Sequence, residues 1–305
     1  MGIVYEAERD GTPTALKVVS PWLVSEQGRR RFRLEAMACA QLTHPNTVQV
    51  FDFGEAEDGT LYCAMELLRG LNLVELVEQH GPQPAGRVLR ILSQITGALG
   101  EAHDKSFVHR DIKPANIVLT EGDVAKLLDF GLVMPLGVPL TPAFGIPRAC
   151  LATSPAPSPA LERQPLERVT LDEPVMGTPR YTAPEIALGV GSVGPPSDFY
   201  ALGLVAYFLL AGKHAFDAHD PADILRMQQE MGVPDVCSER PDVSPALARA
   251  VAWCLEKAPE ARPSSAAELA AALDACPDGA GWTDDDARAW WIAHPVAGAS
   301  RPPPS

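Results

Sequence analysis

The run Val108-His-Arg-Asp-Ile-Lys-Pro-Ala-Asn116 decides the reading of this chain. At uniform residue frequencies, His109, Arg110, Asp111, Lys113 and Asn116 fall together by chance on the order of once in ten thousand chains of this length. Chance is a poor explanation, so the run is a constraint on everything around it. The surrounding composition is that of a globular protein: 305 residues, 46% hydrophobic and 21% charged, enough for one large core or two modest ones. A formal charge of −14 argues against a nucleic-acid partner, which calls for a basic face. The six cysteines are scattered without a C-x-x-C pair, which favours reduced thiols over a zinc site or disulfide framework.

Upstream of the run, Met1 to Val19 alternates apolar and polar residues about Asp10-Gly11-Thr12-Pro13, which predicts a hairpin. Gln27 to Leu42 carries apolar residues at helical spacing after a basic start, and Val48 to Phe53 and Leu61 to Met65 read as two further strands. Residues 1–68 therefore form a small sheet with one helix. Beyond Gly70 the period becomes helical, at Leu73 to Glu78, Arg87 to Asp104, Asp198 to Ala211 and Pro245 to Lys257. The longest apolar run, Phe199 to Gly212, falls short of the ~20 residues a membrane span needs and reads as a buried core helix. No signal peptide is visible before Leu16, and a cytoplasmic location is expected. The 30 prolines are about twice the usual share and are expected in loops, above all in an insert at about 135–168 and in the tail 276–305.

The central run resembles the catalytic loop of protein kinases, and the family's other motifs follow in order. Asp129-Phe-Gly131 matches the metal-binding motif, Ala183-Pro-Glu185 closes an activation segment, and Ala15-Leu-Lys17 matches the strand lysine. Glu35, in Arg-Phe-Arg-Leu-Glu-Ala, aligns with the helix glutamate, and Arg262 with the late arginine that pairs with Glu185. The chain is thus similar to bacterial Hanks-type serine/threonine kinases over roughly Met1 to Leu273. That resemblance implies an α+β, two-lobed fold, with an N-lobe of small antiparallel sheet and one helix (1–68) and a larger, mainly helical C-lobe (69–275).

The resemblance also implies roles. ATP and Mg²⁺ are the implied cofactors and protein serine or threonine hydroxyls the substrate, with no nucleic acid or membrane segment and with self-association allowed for autophosphorylation. Asp111 would accept the substrate hydroxyl proton, Lys113 would stabilise the γ-phosphate, and Lys17, paired with Glu35, would neutralise the α and β phosphates. Asn116 and Asp129 offer hard oxygens suited to Mg²⁺. Gly2 and Val4 belong to the phosphate-covering loop. Val4 and Ala15 would pack above the adenine and Val118 below it, Met65 would be the gatekeeper, and the Glu66 carbonyl and Leu68 amide would read the ring edge. His109 is expected as a packed, hydrogen-bonded core histidine, and Asp198 as a support for the loop backbone.

Two departures from the pattern qualify these expectations. Only the last glycine and the valine of Gly-x-Gly-x-x-Gly-x-Val are present, as Gly2 and Val4, so Met1 reads as an internal methionine of that loop. If it were the true start, a weak kinase or a pseudokinase acting as a binding module would be the alternative. The activation segment is long, and Thr170, eight residues before Thr178, is the expected phosphosite, since Arg110 beside Asp111 marks kinases controlled by such a phosphate. In the tail, Thr283 with Asp286 predicts a capped helix whose Trp282, Trp290 and Trp291 pack on the helical lobe, with disorder expected from His294 onward.

Overall fold

The computed structural model describes residues 3–19, 26–128, 134–135, 179–188 and 193–296. The expected sites Gly2, Asp129 and Thr170 and the proline-rich insert beyond Pro135 lie outside the described residues, as does the side chain of Glu35.

β1 (Ile3–Arg9) and β2 (Thr12–Val19) form the expected hairpin. Asp10 and Gly11 have φ of 50° and 78°, so both central residues take the left-handed turn whose twist suits flanking strands. With β3 (Val50–Glu55) and β4 (Leu61–Glu66) they make an antiparallel sheet of order β1-β2-β4-β3, onto which α1 (Glu26–Cys39) packs. Its C-terminal half is the buried part, at Ala36, Ala38 and Cys39, and Cys39 joins the core shared with the helical part. A second antiparallel sheet, β5 (Gly70–Asn72), β7 (Ile117–Thr120) and β8 (Val124–Leu127) in the order β5-β7-β8, lies where the chain enters the helical part.

The helical part is built on α3 (Ala85–Asp104) and α5 (Pro195–Ala211), flanked by α2 (Leu73–His80), α8 (Pro245–Cys254) and α9 (Ala266–Asp274). Every residue of α5 from Ser197 to Leu210 is buried, as expected for a helix apolar on all sides. At Gly203 a Cβ would lie 2.8 Å from the Cβ of Cys254, so glycine there sets how closely α5 approaches α8. Among the described residues no helix is long and apolar enough to cross a membrane.

Several element boundaries differ from expectation by two or three residues, and two differences have a local cause. α8 ends at Cys254 rather than Lys257, because Leu255 already turns back onto the Ala252 and Trp253 carbonyls and Pro259 follows. In the tail, α10 (Asp284–Ala293) has the predicted capping box between Thr283 and Asp286, but order does not stop at His294. The His294 ring stacks on Trp290 with centroids 4.4 Å apart, and its Nδ1 lies 2.8 Å from the Trp290 carbonyl. An imidazole with a flat indole to cover has reason to stay packed.

Candidate active site

The loop 109–113 leaves the two-residue strand β6 (Phe107–Val108) and runs into a 3-10 turn at Pro114–Asn116 that opens β7. Asp198, in the first turn of α5, fixes its backbone. One carboxylate oxygen accepts the His109 N–H (2.9 Å) and faces His103 Nε2 (2.8 Å), and the other accepts the Arg110 N–H (2.8 Å). Burial by itself would raise the pKa of Asp198. The His103 hydrogen bond and charge, with the loop N–H groups, outweigh it and hold the carboxyl below its usual value. The support is needed, because Arg110 has φ of 67°, a left-handed conformation that costs a non-glycine residue about 1–2 kcal/mol. Burial lowers the pKa of the Arg110 guanidinium, with the charge of Asp198 opposing. His109 is fully buried, with Nε2 3.0 Å from the Leu128 carbonyl, which is the packed histidine the sequence predicts.

Asp111 projects from this braced backbone. Its carboxylate accepts Lys113 Nζ at 2.7 and 3.0 Å and Asn116 Nδ2 at 2.9 Å, and Asn116 Nδ2 also donates to the Asp111 carbonyl at 2.8 Å. With its amide nitrogen committed to Asp111, Asn116 keeps Oδ1 as its remaining acceptor, a hard oxygen of the kind a divalent cation prefers. The Leu128 N–H bonds the Asn116 carbonyl at 2.8 Å, so the residue before Asp129 is tied to Asn116.

The first sheet carries the residues expected from sequence to form the other half of the site. Val4 pairs with Lys17 and Lys17 with Cys63, while Ala15 pairs with Met65. Directly paired residues share a face and so do residues two apart, so Val4, Ala15, Lys17 and Met65 stand on one face. In the second sheet, Val118 pairs with Lys126, and Lys126 Nζ reaches the Glu66 carboxylate at 2.7 and 3.0 Å. That ion pair joins the end of β4 to the hairpin carrying Val118. Sequence reasoning missed it: the hairpin alternation puts Val118 and Lys126 on one face but carries no sign of what Lys126 meets.

The chain returns at Pro179–Tyr181. Arg180 pairs with Asp217 at 2.6 Å, Tyr181 OH lies 3.1 Å from His214 Nδ1, and Gln228 Nε2 donates to the Pro179 carbonyl at 2.7 Å. Burial, then the charge of Arg180, lowers the pKa of His214. Four residues after Tyr181, Glu185 receives both terminal nitrogens of Arg262 at 2.8 Å and Ser197 Oγ at 2.7 Å, all within the core. The Glu185–Arg262 pair is the one expected from sequence; the Ser197 contact is not.

Residues 1–273 match the family model described as the protein kinase domain. The chain belongs to that family. This kinase domain is 35% identical to serine/threonine-protein kinase pkn3 of Myxococcus xanthus over 90% of its length and 47% of the relative's. It is 34% identical to the DNA damage-responsive serine/threonine-protein kinase RqkA of Deinococcus radiodurans, over 88% of the chain and 36% of the relative. It is 33% identical to PknL of Mycobacterium tuberculosis, over 86% and 59%. The kinase domain thus spans about a third to three-fifths of these curated relatives, and it is of the bacterial Hanks serine/threonine type.

Proposed function

We propose that this kinase domain transfers the γ-phosphoryl group of ATP to serine and threonine hydroxyls of proteins, with Mg²⁺ as its divalent ion. The observation that carries the reading is the grip on Asp111, whose carboxylate is oriented by Lys113 and Asn116 on a loop braced by Asp198. Phosphoryl transfer asks an enzyme mostly for positioning and charge neutralisation. In this reading Asp111 accepts the hydroxyl proton as the substrate oxygen bonds to the γ-phosphorus and the bond to the bridging oxygen of ADP breaks. Lys113 neutralises the γ-phosphate, and Lys17, paired with Glu35, the α and β phosphates. Gly2 covers the phosphates. Adenine lies between Val4 and Ala15 on one side and Val118 on the other, beside Met65, with the Glu66 carbonyl and Leu68 amide at its edge.

Asn116 and Asp129 would hold the ion, which when bound offsets phosphate charge. Thr170 is the proposed regulatory phosphosite, with Arg110 as the cation that answers it. Action in the cytoplasm and self-association for autophosphorylation go with this reading. A pseudokinase is not favoured, because the relatives carry kinase names and Lys17, Asp111, Asn116 and Asp129 are all present.

Asp111→Asn tests the proposal: label transfer from γ-labelled ATP to a generic protein substrate should fall about 10³-fold while nucleotide still binds. The parent's label should sit on serine and threonine, and on Thr170 of the chain itself by mass spectrometry. Equal transfer by parent and variant defeats the reading.

A further inference from the structure

The segment after residue 273, outside the span the family model matches, is not a loose appendage. It closes a buried charge network at the tip of the β7–β8 hairpin. Asp123 occupies that tip with φ of 58° and no solvent exposure. Each of its carboxylate oxygens accepts two hydrogen bonds. Oδ1 takes Arg87 Nη2 and Trp291 Nε1, both at 2.7 Å, and Oδ2 takes Arg87 Nε at 2.9 Å and Trp282 Nε1 at 2.7 Å. Arg87, also fully buried, gives its remaining terminal nitrogen to Gln83 and lies 3.9 Å from the centre of the Trp290 ring. Gly86 beside it leaves room for the tail backbone: a Cβ there would lie 2.6 Å from the Asp278 carbonyl. A buried ion pair is tolerated only when its remaining donors and acceptors are met, and here the tail meets two of the four that Asp123 needs.

We infer that Trp282 and Trp291 are positioning residues for the nucleotide and metal site, acting through Asp123 on the β7–β8 hairpin. The hairpin is four residues per strand, and its base carries what the site uses. Asn116 precedes β7, Val118 lies within it, and Leu128, bonded to both Asn116 and His109, follows β8. So short a ribbon is marginal by itself. Gln94 of α3 holds its second strand through the Asp123 carbonyl and the Ala125 N–H, so the tip is clamped from α3 and from the tail together. Loosening the tip lets Asn116 and Val118 shift relative to the first sheet, which weakens binding of nucleotide with its ion.

The inference rests on the proposed kinase reading, and the experiment separates the two. Trp282→Phe and Trp291→Phe, singly and together in the full chain, keep an aromatic ring and remove one N–H donor each. Amide exchange over 117–127 should quicken about tenfold in the double variant while α5 stays protected. The dissociation constant for ATP with Mg²⁺, read by calorimetry, should rise about fivefold, with kcat within about twofold. Unchanged exchange in the hairpin, equal acceleration in α5, or a loosened hairpin with unchanged ATP affinity each overturns the inference. If the variants lose ATP affinity as expected while the parent transfers no phosphate, the kinase reading fails and the positioning role stands.

Discussion

The loop around Asp111 and the sheet face carrying Lys17, the two halves of the site in the proposed kinase reading, are built by opposite means. The loop has little regular structure and is held by polar groups, buried at Asp198 on its backbone and His109 against Leu128, half-buried at Lys113 and Asn116 on Asp111. The face Val4, Ala15, Lys17 and Met65 is set by strand register, and Val4 is 59% exposed. A buried hydrogen-bonded carboxylate is irreplaceable because removing it strands its partners. A register is shared among many backbone bonds, so no single side chain carries it. Damage should therefore be severe and indivisible on one side, mild and local on the other.

The hardest way to break that contrast is Asp198→Ala. It leaves two loop N–H groups and His103 without their acceptor, and should cost about 3–5 kcal/mol in denaturant unfolding and abolish phosphotransfer. Near-normal stability in this variant would show that the loop is held by something else.

Glu101 on α3 grips the turn joining α1 to β3. It accepts the Thr43 and His44 N–H groups at 3.0 and 2.8 Å and Lys105 Nζ at 2.8 Å. Burial would raise its pKa, but the Lys105 and backbone hydrogen bonds prevail and bring it down to about 2 from 4.5. A carboxylate with a depressed folded pKa stabilises the fold fully above its unfolded pKa and progressively less as pH falls toward the folded one. Glu101→Gln should therefore cost roughly 1 kcal/mol at pH 7, after allowance for solvent screening, and the difference from the parent should shrink between about pH 4.5 and 2. A difference constant across that window would mean that the charge of Glu101 does not matter.

The mildest test is Val4→Ala, expected to change stability by less than about 0.5 kcal/mol and to weaken ATP binding only a few-fold. A large stability loss there would erase the contrast between the halves.

Much of this was legible in the sequence because it is local or periodic. The Asp10-Gly11 turn, the Thr283–Asp286 capping box and the all-apolar α5 follow from residues within a few positions of one another. The Asp111, Lys113 and Asn116 cluster is equally local, lying within a six-residue run. The pairs Lys126–Glu66 and Trp291–Asp123 were not legible. Their partners are 60 and 168 residues apart, and an isolated lysine, aspartate or tryptophan carries no sign of what it meets across the core. The end of α8 was misplaced because apolar periodicity runs past the point where Leu255 turns back. His294 was misread because its packing depends on Trp290.

The left-handed backbone at Arg110 makes the reactive geometry conditional on assembly. Unsupported, that residue relaxes toward an ordinary conformation, and the support comes from Asp198, which is in place only when α5 has docked against the helical core. A partly assembled molecule is therefore expected to transfer no phosphate. The loop acts as its own proofreader, and phosphotransfer, where it is found, certifies that the large lobe is complete.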